Sequence, residues 1–304
     1  MTNMENTPFS GTGVALVTPF RDDGSIDVED LRKHVEFQIA NGVGVMVPCG
    51  TTGEGATLSA DEQRLVIRTT VEAAQGRTAV LAGAGGSDTA DVVRRAQAAR
   101  EEGADGILSV SPSYNKPTQR GLIEHYRAVA GAVDCPVIIY NVPSRTASNV
   151  LPETVLALAA IENIAGVKEA SGDVDQVMTL IRERPDGFTI LSGDDALTFP
   201  LLAAGADGVI SVVANLAPAL MSQMVRTALG GDWDGARTLH YRLLPLMRAI
   251  FVETNPIPVK TALEIMGHRK AHFRLPLVRP MVEVEAFLRR ALADAGLLDA
   301  ESAS

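Results

Sequence analysis

Eight short apolar runs recur along the first two thirds of the chain, each bounded by glycine, proline or a small polar residue. They are rich in valine, isoleucine and leucine, which is typical of strands buried on both faces, as in a parallel sheet. The pattern therefore predicts eight parallel strands, within residues 13–20, 42–50, 78–85, 106–112, 136–143, 164–170, 188–194 and 208–214.

Amphipathic helical patterns lie between these runs. Residues 27–42 repeat apolar positions every four residues and end on a glycine, as a helix packed on a core does. In residues 59–76, Ser59 and Glu62 have the spacing of a capping box. The runs begin roughly 20–35 residues apart, the length of one βα unit. Eight such units favour a closed (β/α)8 barrel over an open doubly wound sheet, whose usual strand number is nearer six.

From about Ala217 onward, only helical patterns follow. We interpret them as the last barrel helix and a C-terminal helical appendage. No linker or low-complexity tract separates the two parts. The predicted fold is therefore α/β, with a TIM barrel over residues 1–225 and a C-terminal helical region over residues 226–304 packed on the barrel.

The composition, with 46% hydrophobic and 21% charged residues, is that of a soluble globular protein. A net charge of -10 without a basic patch argues against nucleic acid as a partner. Residues 1–11 lack the features of a signal peptide, and no apolar stretch reaches the ~20 residues of a membrane span. Cys49 and Cys135 lie in or beside apolar runs, which predicts reduced, buried thiols and a cytoplasmic location.

Candidate chemistry lies where the strands end, because barrels of this kind carry their sites at the C-terminal ends of the strands. Lys168 follows the apolar run IAGV. A lysine that is partly removed from water has a lowered pKa, and its neutral amine is a nucleophile. Alternatively, the amine reaches water or pairs with the neighbouring Glu169.

Other polar residues follow the second, fourth and fifth runs. Tyr114 and Tyr140 are suited to proton relay, or are interior aromatic residues with satisfied hydroxyls. Thr51 and Thr52 lie in a GTTG loop that has the groups to hold a carboxylate or phosphate, although such turns are common. Arg145 has the geometry to clamp a carboxylate, or lies on the surface.

A metal site is poorly supported. The histidines fall in helical or C-terminal segments, away from strand ends, at positions His34, His125, His240, His268 and His272. The pair Asp194–Asp195 is more typical of a helix cap or of support for a site than of metal ligands. No nucleotide-binding loop matches either, since GAGGSD at 83–88 does not fit the dinucleotide pattern.

Seven sequence blocks resemble the dihydrodipicolinate synthase / N-acetylneuraminate lyase family, in order and in spacing, over essentially the whole chain from Gly11. The blocks are GTTGE (50–54), SPSYNKP (111–117), YNVPSRT (140–146), GVKEASGD (166–173), LSGDDA (191–196), GVISVVAN (208–215) and ETNPIPVK (253–260). The resemblance implies a lyase in which Lys168 forms an imine, and then an enamine, with pyruvate. It also implies that Tyr140 shuttles protons and that Thr51 connects Tyr140 to Tyr114 of a neighbouring subunit.

The resemblance implies roles for the remaining candidates as well. Thr52 would hold the pyruvate carboxylate, and Arg145 the carboxylate of the second substrate, L-aspartate 4-semialdehyde. Gly193 and Ile210 would shape the site. No metal or organic cofactor is implied, because the protonated imine is itself the electron sink. The family's usual assembly implies a homotetramer, a dimer of dimers.

Two alternatives and one departure accompany this resemblance. Relatives that act on sugar acids, such as N-acetylneuraminate lyase, share the lysine and the strand-five tyrosine, but Arg145 and the Thr51–Thr52 pair favour the dipicolinate branch. A catalytically silent binding protein would lack the lysine or the tyrosine. The positions that bind feedback lysine in regulated members are here Gly55, Ala60, Gln63, Ser87, Asp91 and Ser113. Only one of them is acidic and none is aromatic, so we expect lysine to inhibit weakly or not at all.

Overall fold

The computed structural model describes residues 9–299. Eight parallel strands close into a barrel in sequence order, β1 to β8, with β8 pairing back to β1. The predicted (β/α)8 barrel with a C-terminal helical part is confirmed. The strands are β1 (Gly11–Ala15), β2 (Val45–Val47), β3 (Ala79–Gly83), β4 (Gly106–Val110), β5 (Val137–Asn141), β6 (Ile164–Glu169), β7 (Thr189–Ser192) and β8 (Gly208–Ser211).

The helices alternate with the strands and then continue alone. They are α1 (Val28–Ala40), α2 (Ala60–Ala74), α3 (Thr89–Glu101), α4 (Gln119–Ala130), α5 (Pro143–Thr146), α6 (Pro152–Leu158), α7 (Val174–Glu183), α8 (Thr198–Ala204), α9 (Pro218–Leu229), α10 (Trp233–Ala249), α11 (Ile257–Ile265) and α12 (Val282–Asp294). The capping box at the start of α2 is confirmed: Ser59 Oγ accepts from the Glu62 amide at 3.2 Å, and Glu62 Oε2 accepts from the Ser59 amide at 2.9 Å. None of the helices between residues 9 and 299 is long and apolar enough to cross a membrane.

The strands are shorter than the apolar runs that predict them. The run 13–20 begins inside β1 and continues past its end, through buried but irregular chain, to an isolated bridge between Phe20 and Ile26. Thr18 in this segment donates to the carbonyl of Gly53 at 2.6 Å. An apolar run indicates burial rather than strand pairing, so this one continues into the buried irregular segment that follows β1.

Both faces of the strands are buried, which explains why the runs are continuously apolar. One set of side chains packs between strands and helices, and includes Val167 and Ile139. The opposite set fills the barrel interior, and includes Ile138, Leu191 and Ile210. Because successive side chains alternate across a strand, a polar residue at a strand end faces either the interior or the helices.

The C-terminal helices pack on the rest of the chain. Helix α10 lies against α9 and α12, and the guanidinium of Arg242 donates to the carbonyl of Ala295 at 2.8 and 3.1 Å. Helix α9 spans residues on both sides of position 225, so the division between residues 225 and 226 stays a prediction. The predicted lack of a signal peptide concerns residues 1–11, of which 1–8 lie outside the described residues.

Candidate active site

A cavity of about 310 Å³ opens at the C-terminal ends of the strands. Most of the residues singled out in the sequence line it together: Thr51, Thr52, Tyr140, Arg145, Lys168 and Gly193. They come from the loops or ends of β2, β5, β6 and β7, which are far apart in sequence and adjacent in the closed barrel.

Lys168 lies near the end of β6 and is only 5% exposed. It pairs in register with Tyr140 on β5, and its Nζ lies 4.2 Å from the centroid of the Tyr140 ring. Burial lowers the pKa of the Lys168 amine to about 8, with the Asp195 carboxylate acting in the opposite direction and the Arg145 guanidinium adding to the lowering. With this pKa, roughly a tenth of the amine is neutral at pH 7, far more than for an exposed lysine.

Glu169 does not neutralise this amine. Its side chain lies on the opposite face of β6, as the alternation along a strand requires. Its carboxylate accepts hydrogen bonds from Asn141 Nδ2 (3.0 Å), Gln176 Nε2 (3.1 Å) and the Ser171 amide (2.7 Å). The alternative in which Lys168 pairs with Glu169 is therefore wrong, because Glu169 belongs to the layer between strands and helices.

Tyr140 and Thr51 form a hydrogen-bonded pair beside the lysine. Burial raises the pKa of the Tyr140 phenol, while the Arg145 guanidinium and the hydrogen bond with Thr51 lower it. The phenol is therefore protonated at neutral pH and has a hydroxyl neighbour to exchange a proton with. This pair has the groups that a proton relay needs.

Gly193 sits at the turn after β7, directly against the lysine. A Cβ at this position would lie 2.7 Å from Ala170 Cβ and 3.1 Å from Lys168 Cε. The Gly193 amide also donates to the Glu169 carbonyl at 2.7 Å. Close approach of backbone to side chain thus explains glycine here, and any side chain would press on Lys168.

Asp194 stabilises the turn before α8 without capping the helix, whose N-cap is Leu197, and Asp195 supports the end of β8. Asp194 Oδ1 accepts from the amides of Ala196 (2.9 Å) and Leu197 (3.3 Å), just before α8. The buried Asp195 accepts from the amides of Val212 (2.9 Å) and Val213 (3.1 Å), which ties the turn after β7 to the end of β8. Among residues 9–299, no group of three or more histidine, cysteine or acidic side chains is arranged to hold a metal ion.

Tyr114 and Ile210 do not line the cavity of their own chain. Tyr114 follows β4, has a left-handed backbone (φ 70°) and is 93% exposed. Ile210 is 1% exposed and packs in the barrel interior, while Val212, two residues later, reaches the cavity. Within one chain, therefore, neither of these two residues contributes to the lining of this cavity.

Asn255 contacts two of the site residues, but the search for polar residues at strand ends did not find it. Its Nδ2 donates to Thr52 Oγ1 at 2.9 Å, and its main-chain carbonyl accepts from Arg145 Nη2 at 3.2 Å. It follows α10 rather than a strand, so the rule that locates barrel sites does not point to it. The only signal was its position within the block ETNPIPVK.

A second missed contact is the buried ion pair between Glu54 and Lys260. Lys260 Nζ lies 2.5 Å from Glu54 Oε1 and donates to the Thr18 carbonyl at 3.1 Å, and both side chains are almost fully buried. The amine also lies 4.4 Å from the centroid of the Phe20 ring. The pair joins the GTTGE loop to α11, which holds Thr51 and Thr52 against the C-terminal part of the chain.

A second cavity of about 350 Å³ borders the first at Thr51, Tyr140 and Arg145. It extends past Gly55, Gln63 and Ser113, three of the positions related to feedback lysine. The acidic member of that set, Asp91, already pairs with Arg95 at 2.6 Å and with Arg94 at 3.3 Å. Weak inhibition by lysine stays a prediction.

Comparison with known proteins identifies relatives over the whole fold. The model of the dihydrodipicolinate synthetase family matches residues 8–295. The 4-hydroxy-tetrahydrodipicolinate synthase of Koribacter versatilis is 50% identical over 289 residues, which are 95% of this chain and 96% of the relative. A crystal structure of dihydrodipicolinate synthase from Aquifex aeolicus superposes with a TM-score of 0.93 at 46% identity, covering 95% of this chain and 99% of that one. The chloride-inhibited dihydrodipicolinate synthase of Acinetobacter baumannii, complexed with pyruvate, superposes with a TM-score of 0.94 at 43% identity, covering 95% and 100%.

Proposed function

The chain belongs to the dihydrodipicolinate synthetase family, and on this premise we propose that it condenses pyruvate with L-aspartate 4-semialdehyde to 4-hydroxy-tetrahydrodipicolinate. The reaction is that of a lyase in lysine and diaminopimelate biosynthesis. The observation that carries the proposal is the buried amine of Lys168, in one cavity with the Tyr140–Thr51 pair and with Arg145.

The proposed chemistry begins at Lys168. Its neutral amine attacks the carbonyl carbon of pyruvate, and the carbonyl oxygen leaves as water when the imine forms. The protonated imine draws electrons from the methyl group, which loses a proton to give an enamine. The enamine carbon attacks the aldehyde carbon of the second substrate, whose oxygen becomes the hydroxyl of the product. The substrate's amino group then attacks the imine carbon, closes the ring and releases Lys168.

Tyr140 is proposed to move the protons in these steps. Its phenol lies against the lysine amine, and Thr51 is its hydrogen-bonding neighbour. Loss of water from the first adduct needs a proton donor, and formation of the enamine needs an acceptor. The Tyr140 hydroxyl is protonated at rest and can therefore donate a proton first. Its hydrogen bond with the Thr51 hydroxyl then allows it to accept one.

Arg145 is proposed to bind the carboxylate of the semialdehyde. We expect Arg145→Ala to raise the KM for L-aspartate 4-semialdehyde by about 10- to 100-fold, because a charge-assisted hydrogen bond contributes about 1.5–3 kcal/mol. Trapping of pyruvate on Lys168 with borohydride should persist. Steady-state kinetics with each substrate varied in turn measures both effects, and Arg127→Ala, on the exposed side of α4, serves as the matched control.

The second substrate is tested by pyruvate consumption with three partners. Turnover with L-aspartate 4-semialdehyde, and none with N-acetylmannosamine or a small sugar-derived aldehyde, supports the proposal. Turnover with a sugar aldehyde alone would move the protein to another branch of the family while leaving the role of Lys168 intact.

We further propose a homotetramer in the cytoplasm, in which Tyr114 completes a neighbouring subunit's site. Its almost full exposure and its absence from the lining of its own chain's cavity support this assembly. Two free, buried cysteines agree with a reducing compartment. Sedimentation at assay concentration should give a species larger than a monomer, and Tyr114→Phe should lower kcat without dissociating it. A fully active monomer would contradict the shared site.

A further inference from the structure

Asn255 contacts the two groups that the family resemblance assigns to the two substrates, Thr52 for pyruvate and Arg145 for the semialdehyde. Its side-chain amide donates to Thr52 Oγ1 at 2.9 Å, and its main-chain carbonyl accepts from Arg145 Nη2 at 3.2 Å. The residue is 5% exposed and lines both cavities. Asn255 therefore uses different atoms for the two contacts: its side chain binds Thr52, and its main chain binds Arg145.

The direction of the Asn255–Thr52 hydrogen bond determines what Thr52 can do. A threonine hydroxyl has one proton to donate and lone pairs to accept with. Because Asn255 Nδ2 donates to it, the Thr52 proton stays free for another acceptor. With the amide reversed, the asparagine oxygen would take that proton, and the hydroxyl would turn its lone pairs toward a substrate carboxylate.

In this orientation, one polar atom of the Asn255 amide itself is left without a hydrogen bond. Asn255 Oδ1 is buried and has no hydrogen-bond partner within the described part of the chain. A buried acceptor without a partner is unfavourable, but the reversed amide would leave Nδ2 unpartnered at the same place, so satisfaction of the amide itself does not select this orientation. It is explained if the Thr52 proton has to remain available for a ligand.

We propose that Asn255 is a positioning residue that holds the Thr52 hydroxyl as a donor toward the carboxylate of pyruvate. This inference rests on the proposed function and on the role that the family resemblance implies for Thr52, which is to hold the carboxylate of pyruvate. The contact with Arg145 uses a main-chain atom that no side-chain substitution removes. Replacing the side chain should therefore affect the binding of pyruvate and not that of the semialdehyde.

The test separates the two Michaelis constants. Asn255→Ala should raise the KM for pyruvate about tenfold, which corresponds to about 1.4 kcal/mol, and should change the KM for the semialdehyde by less than about twofold. Asn255→Asp keeps the shape of the side chain but can only accept a hydrogen bond when ionised. It should raise the KM for pyruvate more than the alanine variant, because it takes the Thr52 proton and adds a negative charge.

A double-mutant cycle with Thr52→Val tests whether Asn255→Ala changes the KM for pyruvate through the Thr52 hydroxyl. Without the Thr52 hydroxyl, Asn255→Ala should add less than about twofold to the KM for pyruvate. Asn41→Ala, at the end of α1 where Asn41 donates to the Phe37 carbonyl, is the matched control and should leave both constants unchanged. Thermal unfolding checks that each variant folds. If Asn255→Ala does not fold, the double-mutant cycle is measured with Asn255→Asp and Thr52→Val instead.

Two outcomes would overturn the inference. One is an equal rise in both Michaelis constants on Asn255→Ala, and the other is an undiminished effect in the Thr52→Val background. Failure of the proposed function has a different signature, since the unmodified enzyme would then not consume pyruvate with L-aspartate 4-semialdehyde.

Discussion

Replacing Lys168 by alanine is expected to abolish adduct formation with pyruvate and to lower turnover at least about a thousandfold, because no other lysine lines the cavity among residues 9–299. Lys168→Arg should be equally inactive, since a guanidinium keeps the charge but forms no imine under these conditions. Borohydride trapping followed by mass spectrometry, together with coupled turnover, measures both effects. Lys33→Ala, which removes an exposed lysine of α1, is the control. Full turnover of Lys168→Ala would refute the Schiff-base mechanism.

The pH dependence of adduct formation follows from the same residue. Only the neutral amine attacks, and the pKa of Lys168 is lowered to about 8. Below saturation with pyruvate, the rate should therefore rise roughly tenfold per pH unit below pH 8 and level off above about pH 9. Arg145→Ala removes a positive charge that lowers this pKa, so it should move the midpoint to higher pH. A rate that does not change between pH 6 and pH 8 would contradict the assignment.

Breaking the buried pair of Glu54 and Lys260 is expected to have the largest effect on stability. Lys260→Met should lower the free energy of unfolding by about 3–5 kcal/mol, because it leaves the Glu54 carboxylate buried without its partner. Glu54→Gln should also destabilise, since it leaves the Lys260 amine as an uncompensated buried charge. Urea unfolding monitored by circular dichroism measures these changes.

The double variant separates pairing from packing. Lys260→Met combined with Glu54→Gln should recover part of the lost stability, because neither charge then remains alone in the interior. Arg32→Met breaks an exposed ion pair with Glu72 at the same distance of 2.5 Å, and should cost less than about 1 kcal/mol. Equal losses in the free energy of unfolding for Arg32→Met and Lys260→Met would show that burial does not determine how much Lys260 contributes to stability.

Several features of the fold could be predicted from local pattern. The eight apolar runs predicted the strands, and the pairing of Ser59 with Glu62 predicted how α2 begins. Lys168 could be found because barrels carry their chemistry at strand ends, where a lone lysine after an apolar run is conspicuous. The strand bounds were less predictable, because the run 13–20 is buried both within β1 and in the irregular segment that follows it.

The partners of the polar residues could not be predicted in this way. Whether Lys168 pairs with Glu169 depends on which face of β6 each residue occupies, and the burial of both faces removes the polar alternation that would reveal it. Asn255 and Thr52 are 203 positions apart, and Lys260 and Glu54 are 206 apart. No local spacing connects residues at such separations.

The barrel, the C-terminal helices and the strand ends that carry Lys168 and Tyr140 could be predicted from the sequence, because burial patterns and strand-end positions are properties of consecutive residues. The folded chain was needed to show that Asn255 contacts Thr52 and Arg145, that Lys260 pairs with Glu54, and that Tyr114 is exposed and does not line its own chain's cavity. Those contacts form when the barrel closes and the C-terminal helices return to its mouth. They depend on long-range geometry, which no run of neighbouring residues encodes.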